Sequence, residues 1–338
     1  MGGSVVWGLV FVLFAGMLNG SFAAPMKHMS GWQWENSWLL FALSGLIIFP
    51  WIINFASVPH VVDVYSLASP VTLIKVVLFG VLWGAGATLF GLGISRVGMA
   101  LGFALILGIT ASCGSLIPMA ILHPEELVLK RGIALLIGTV IMLLGLGFLA
   151  LAGRTREHDL GAGGSPRSSF MVGLVICIFS GIFSSMINFS FVFGDEVRVH
   201  ALHAGASSAM AANPIWALTV SGGFISNCVY CVYLLNKNRT WKVFGKGNRT
   251  ANWLLGFSMG LLWFGGLVFY GMGAASMGSL GNILGWPIFM TLDIMVGLFW
   301  GAVGGEWKGA SRRALTYNWV GVGVLLLAIV VISVGNAA

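Results

Sequence analysis

Ten runs of about 20 mostly apolar, uncharged residues constrain the fold of this chain more than any other feature. Inside a bilayer, only helices and closed barrels satisfy their own backbone hydrogen bonds, and runs of this length are typical of helices. The composition agrees, because the 338 residues are 58% hydrophobic and 8% charged. The sequence therefore predicts an all-α membrane protein with ten transmembrane helices. The predicted spans cover residues 3–22, 37–56, 71–92, 98–119, 132–152, 168–191, 210–235, 251–272, 278–301 and 315–335.

The basic residues are distributed unevenly between alternate loops. Thirteen of the 17 Lys and Arg residues fall in the odd-numbered loops, and loops rich in these residues face the cytoplasm. This predicts a multi-pass protein of the bacterial inner membrane with both termini on the periplasmic side. The net charge of +7 then reflects topology and the lipid bilayer, and no nucleic-acid partner is implied. The four cysteines all lie within spans, so no disulfide framework or metal site is predicted.

Two segments of the first half recur in the second half. Residues 8–16 (GLVFVLFAG) and 173–181 (GLVICIFSG) match at an offset of 165. A second match at an offset of 180 pairs tryptophans and glycines of the third span with those of the eighth, including Trp83 with Trp263 and Gly86 with Gly266. The offset grows by 15, which places extra residues of the second half in stretches 194–207 and 236–250.

An internal repeat of five spans, an odd number, predicts that the second copy crosses the membrane in the opposite orientation. The predicted organisation is a first five-helix repeat at 1–153, a cytoplasmic linker at 154–167 and a second, inverted five-helix repeat at 168–338. Inverted repeats are typical of secondary transporters, whose substrate site lies between the halves near the midplane. We expect transport by alternating access.

Short motifs along nearly the whole chain are similar to those of one transporter family. They are Pro25-Met26-Lys27, Trp32-x-Trp34-Glu35-x-x-Trp38, Pro50-Trp51, LFGVLWGAG at 78–86, Arg96-Val97-Gly98-Met99, Gly108-Ile109-Thr110, Gly181-Ile182-Phe183-Ser184, Gly222-Gly223 with Asn227, Phe269-Tyr270, and Glu306-Trp307 before Arg312-Arg313. The chain resembles the L-rhamnose-proton symporter family of the drug/metabolite transporter superfamily. The resemblance implies ten helices in two inverted repeats and sugar import, most simply of L-rhamnose, driven by protons.

The ninth span departs from the better-known branch of that family. Asn282 and Phe289 stand where that branch has Asp and His, and Asp293 stands where it has an aromatic residue. Asp293 is the one acidic residue deep in a span, where a charge costs several kcal/mol. We expect it to carry the coupling proton; the alternative is a hydrogen bond that holds helices together. Asn282, Trp286, Phe289 and Asp293 are spaced by 4, 3 and 4 residues, which places them on one helical face.

Aromatic and amide side chains near the middle of other spans are the predicted sugar ligands. Indole rings stack on the C–H faces of sugars and donate to their hydroxyls, and amides both donate and accept. The alternative for each is packing or hydrogen bonding between helices. With Asn282 and Trp286, the predicted substrate-binding residues are Asn19, Trp83, Phe90, Asn188, Asn227, Trp263 and Tyr270.

Charged residues at the cytoplasmic side suggest a gate of ion pairs, although such residues more often mark the membrane boundary. The predicted gate consists of Lys27, Glu35, Glu306 and Arg312. No cofactor is expected apart from the proton as coupling ion, and no enzyme is predicted, because the spans contain a single deep carboxylate and no histidine. An uncoupled sugar facilitator and an exporter of a neutral metabolite stay open as alternatives. The uncharged fifth and tenth spans suggest a homodimer interface.

Overall fold

The computed structural model describes residues 2–97, 99–159, 167–278, 281–305 and 307–337. Within them, ten segments are long and apolar enough to cross a membrane, as the sequence predicts. The α-helices are α1 (Gly2–Gly20), α2 (Trp34–Leu43), α3 (Phe49–Ser57), α4 (Val61–Leu67), α5 (Pro70–Val97), α6 (Met99–Leu122), α7 (Lys130–Asp159), α8 (Arg167–Phe193), α9 (Asp195–His203), α10 (Asn213–Asn238), α11 (Arg249–Ser276), α12 (Gly281–Val303) and α13 (Arg312–Ala337).

The second predicted span contains a local irregularity. It consists of α2 and α3 joined by one turn of π-helix at Ser44–Ile48. The turn lies against α11, where the Ser44 hydroxyl donates to the carbonyls of Leu40, at 2.8 Å, and of Gly256, at 3.4 Å. The wider turn thus lies where two helices cross closely.

Two stretches that the sequence assigned to loops are partly helical. Helix α7 continues to Asp159 and α8 begins at Arg167, so both helices extend into the predicted linker, whose residues 160–166 lie outside the described part of the chain. The stretch 194–207, where extra residues of the second half were expected, contains the short helix α9. Its charged sequence, which begins with Asp195 and Glu196, distinguishes it from the apolar spans.

The ten spans pack in pairs around a central space. Helix α5 packs along α8 and α1 packs along α11, while α6 also contacts α8 and α12 also contacts α1. Helices α7 and α13 pack against each other at the side of the bundle, and each exposes an apolar face. The centre is a cavity, described next, whose wall is made of residues from α1, α2, α5, α6, α7, α8, α10, α11 and α12.

Candidate functional site

A cavity of about 580 Å³ lies at the centre of the helix bundle. We call it the central cavity. It reaches the surface beside Lys27 and Arg156, at the end of the bundle that carries most of the basic residues, which we call the basic end. Pockets of about 300–1,000 Å³ are typical of sites for small organic ligands. The lining is mostly aromatic and aliphatic, with a few polar groups, which suits a ligand that has both C–H faces and hydroxyls.

Two tryptophans from matching positions of the sequence repeat meet in the wall of the central cavity. Trp83 of α5 and Trp263 of α11 stack with ring centroids 5.3 Å apart and an interplanar angle of 24°. Trp263 also meets Phe41 edge-on at 6.0 Å. Phe90, two turns beyond Trp83 on α5, lines the same cavity. The aromatic wall predicted from the sequence therefore exists on the α5 side.

Two of the predicted amides lie in the cavity wall and hold its helices in place. The Asn19 side chain donates to the Trp263 carbonyl at 3.1 Å and so links α1 to α11. The Asn227 side chain donates to the Gly223 carbonyl at 2.9 Å, and its oxygen accepts from the indole nitrogen of Trp38, also at 2.9 Å. Each amide thus forms a hydrogen bond within the protein and also borders the central cavity.

Asp293 lies in the middle of α12 and lines the central cavity. Helix α1 approaches α12 closely here: a Cβ atom placed at Gly20 would lie 2.7 Å from the Asp293 carbonyl oxygen. Among the described residues, none forms a hydrogen bond or ion pair with the Asp293 carboxyl group, which differs from the alternative of a carboxyl group that fastens helices together. Ile294 and Trp263, both nearly fully buried, are among the apolar residues that line the same cavity.

The end of the cavity opposite the basic end is closed by aromatic rings that pack at tilted and edge-on angles. Trp286 and Phe289 of α12 form its floor, and Tyr270 packs behind them, with ring centroids 5.7 Å and 5.1 Å away respectively. Tyr270 is fully buried and donates to the side-chain oxygen of Asn188 at 3.0 Å; the Asn188 nitrogen donates to the Gly114 carbonyl at 2.7 Å. Tyr270 and Asn188 thus lie behind the floor and do not line the cavity.

The residues of the predicted gate lie in different surroundings. Lys27 lies at the mouth of the cavity, whereas Arg312 is exposed at the start of α13. Glu35 is buried, and its carboxylate accepts from the Thr240 hydroxyl at 2.7 Å and from the Asn238 amide at 3.1 Å, both neutral groups. Glu306 lies outside the described residues, as does the side chain of Asn282.

Several residues that line the cavity were not predicted as ligands. Trp300, near the mouth, donates to the Ser21 hydroxyl at 2.8 Å, and Trp38 borders the cavity beside Asn227. Both tryptophans are close to the ends of their spans, where aromatic residues ordinarily form the interfacial belt. Sequence position alone therefore gave no signal that they border a cavity.

Comparison with known protein families identifies the family of this chain. The model of the family described as the L-rhamnose-proton symport protein matches residues 1–338. This chain belongs to that family. Similar members include the L-rhamnose-proton symporters of Escherichia coli strain 55989 and of Escherichia coli O8 strain IAI1, each 28% identical over 344 residues that cover 100% of both chains. The L-rhamnose-proton symporter of Shigella boydii serotype 18 is similar to the same extent.

Membership of the L-rhamnose-proton symport family makes the chain a transporter and not an enzyme, as the sequence indicates. Together with the ten apolar spans, it also confirms a multi-pass membrane protein and the family resemblance of the motifs. Within the described residues, no three His, Cys, Asp or Glu side chains are close enough together to hold a metal ion. The family description names the proton as the partner of the sugar, which is consistent with a carboxyl group as the coupling residue.

Proposed function

We propose that this chain imports L-rhamnose together with a proton across a bacterial inner membrane, by alternating access between two inverted five-helix repeats. The observation that carries this proposal is the central cavity, where the stacked Trp83 and Trp263 face the same space as the carboxyl group of Asp293. A deoxy sugar has C–H faces for the indoles and hydroxyls for the amides of Asn19 and Asn227. Phe90 and Trp286 complete the proposed sugar site in this state.

Contacts between glycines and neighbouring helices support the inverted repeat. A Cβ atom at Gly86 would lie 2.7 Å from the Ser184 nitrogen, and one at Gly266 would lie 3.0 Å from the Asn19 Cβ. Gly86 and Gly266 are 180 residues apart, and Asn19 and Ser184 are 165 apart, which are the two offsets of the sequence repeat. The crossing of α5 with α8 is thus equivalent to the crossing of α11 with α1. We assign the repeats to residues 1–153 and 168–338.

A second pair of contacts relates opposite ends of the bundle. The Asn36 side chain, at the start of α2, donates to the Thr240 carbonyl just after α10 at 3.1 Å. The Asn213 side chain, at the start of α10, donates to the Ser57 hydroxyl at the end of α3 at 2.8 Å. The second and seventh spans are therefore joined in the same way at their two ends, as an inverted two-fold relation requires.

We assign the coupling proton to Asp293. A carboxylate in a membrane-embedded cavity is costly unless it is paired, and no described residue pairs with this one. A group that is neutral when it binds a proton and charged when it releases one is what symport requires. Because Asn282 replaces an acidic residue of the better-known branch, Asp293 is the candidate that the ninth span offers.

The distribution of charge supports a cytoplasmic position for the basic end, with both termini periplasmic. In this proposed orientation, the cavity opens to the cytoplasm and is closed towards the periplasm. Lys27, Glu35, Glu306 and Arg312 stay the proposed cytoplasmic gate. The paired peripheral helices α7 and α13 are the proposed interface of a homodimer, within the lipid bilayer.

Transport in proteoliposomes tests the proposal. L-rhamnose added to weakly buffered vesicles is expected to make the external medium alkaline as the protein takes up sugar and proton together. Uptake of L-rhamnose without any proton movement would instead identify a facilitator. Failure to take up L-rhamnose, with export of another neutral metabolite, would favour the exporter and contradict the proposal.

A further inference from the structure

Five aromatic residues separate the central cavity from the end of the bundle opposite the basic end. We call them the aromatic plug: Phe191, Trp216, Tyr270, Trp286 and Phe289. Trp216, near the start of α10, is fully buried, with ring centroids 4.5 Å from Phe191 and 6.0 Å from Tyr270. Trp286 and Phe289 line the central cavity, whereas Trp216 does not. Trp216 therefore belongs to a part of the plug that does not border the cavity.

The indole nitrogen of Trp216 is buried and has no hydrogen-bond acceptor among the described residues. A buried donor without an acceptor costs about 1–3 kcal/mol. Three indoles of the cavity wall differ, because Trp38, Trp286 and Trp300 donate to Asn227, Thr110 and Ser21 respectively. Trp32 and Trp253 also lack acceptors, but they pack together near the basic end, away from the plug. The unpaired donor in the plug therefore needs an explanation that depends on its position.

The proposed repeat supplies such an explanation for the unpaired donor of Trp216. Phe90 lines the cavity that is open in this structure, and Tyr270, which is 180 residues later and equivalent to Phe90 on α11, is buried in the plug. If the two halves exchange roles during transport, Phe90 becomes buried and Tyr270 becomes part of an open cavity. Opening the plug would then expose three hydrogen-bonding groups beside one another: the Tyr270 hydroxyl, the Asn188 amide and the Trp216 indole.

We propose that Trp216 is a sugar-binding residue of the outward-open state, in which its indole N–H donates to a hydroxyl of the substrate. This inference rests on the proposed function, and it adds a contact on the periplasmic side that the inward-open cavity does not contain. The unpaired N–H is then energetically unfavourable only while the plug is closed. Tyr270 and Asn188, the polar groups that would become accessible together with Trp216, are both neutral. A neutral sugar hydroxyl is therefore a suitable acceptor for the indole N–H.

The substitution Trp216→Phe tests this proposal, because it keeps an aromatic ring in the plug and removes only the N–H donor and part of the ring. L-rhamnose transport is measured in right-side-out and in inside-out membrane vesicles. In right-side-out vesicles we expect the KM of the variant to rise about 3- to 10-fold, the value of one hydrogen bond to a neutral partner. In inside-out vesicles the KM is expected to stay at the wild-type value.

The matched control is Trp51→Phe, which removes an indole that donates to the Ser221 hydroxyl at 2.9 Å outside the cavity. This control is expected to keep the wild-type KM in both orientations. An unchanged KM for Trp216→Phe, or an equal change in both orientations, would overturn the inference and leave Trp216 as packing only. Wild-type vesicles that transport no L-rhamnose would instead refute the proposed function, and this inference with it.

Discussion

Trp83 and Trp263 stack on each other across the two halves of the chain, with ring centroids 5.3 Å apart. They are 180 residues apart and occupy equivalent positions of the repeat. In the proposed inverted repeat, the stack is shared by both halves. A ligand that rests against these rings contacts α5 and α11 at once, which under the proposed alternating access would couple the ligand to the movement of the two halves.

The first prediction concerns this stack. Trp83→Ala and Trp263→Ala each remove one ring and leave the other without its neighbour. An aromatic pair contributes about 0.5–1.5 kcal/mol beyond its buried area, and each variant also loses a contact with the sugar. Each single variant is therefore expected to raise the half-saturating L-rhamnose concentration about tenfold or more. The double variant is expected to be little worse than the worse single variant, because the residues act as one surface.

Trp319→Ala is the control for the stack, since Trp319 on α13 is 70% exposed on the outside of the bundle. Uptake of radiolabelled L-rhamnose measures all four variants. Full additivity of the two single effects would mean that the rings act independently, against the shared surface inferred here.

The second prediction concerns Asp293. Asp293→Asn keeps the shape of the side chain but removes the group that binds and releases a proton. We expect this variant to lose accumulation of L-rhamnose against a gradient and to retain exchange of internal for external sugar. Its exchange rate is expected to vary less with pH than wild-type uptake does. Uphill uptake at the wild-type level, measured with an imposed proton gradient, would exclude Asp293 as the coupling group.

Asp159→Asn provides a matched control at the basic end. The Ser311 backbone N–H donates to the Asp159 carboxylate at 3.1 Å, and hydrogen bonds from Ser311 hold the pKa of Asp159 below its ordinary value of 3.8. The bonds are stronger to the charged carboxylate than to the protonated acid, so this extra stabilisation is complete above pH 3.8 and is lost only as the pH falls through the lowered pKa. Asp159→Asn is therefore expected to keep the wild-type pH profile around neutrality.

The sequence predicted the spans and much of the cavity because both depend on strong local signals. Apolar length defined the ten spans, and the internal sequence match singled out Trp83 and Trp263 as corresponding residues of the third and eighth spans. The same match did not distinguish Phe90, which lines the cavity, from Tyr270, which is buried, because tertiary packing decides which of the two rings is exposed. Nor did the sequence distinguish Asn188 from Asn227, since the partner of a buried amide is set by tertiary packing.

Glu35 gives the third prediction. Its buried carboxylate accepts hydrogen bonds from Thr240 and Asn238, so it joins the start of α2 to the segment after α10. Glu35→Ala leaves both donors without this acceptor and is expected to cost about 1–3 kcal/mol of stability. Thermal unfolding in detergent should show a lower midpoint for this variant. Glu125→Ala is the control, because the Glu125 side chain is 66% exposed, and an equal loss in both variants would contradict the role of burial.

The fourth prediction tests the close approach of equivalent helices. At Gly86 an added methyl group would lie 2.7 Å from the Ser184 nitrogen, which belongs to the backbone and cannot turn aside. Gly86→Ala is therefore expected to push α5 from α8, at a cost of about 1–3 kcal/mol, and to reduce transport. Gly91→Ala, on the same helix, meets no atom within 4 Å and is expected to be neutral.

If the contacts of the two halves are equivalent, Gly266→Ala acts in the same direction as Gly86→Ala, because it brings a methyl group to 3.0 Å from the Ala15 carbonyl oxygen. Thermal unfolding and uptake of the three variants, measured side by side, decide whether the two crossings respond alike.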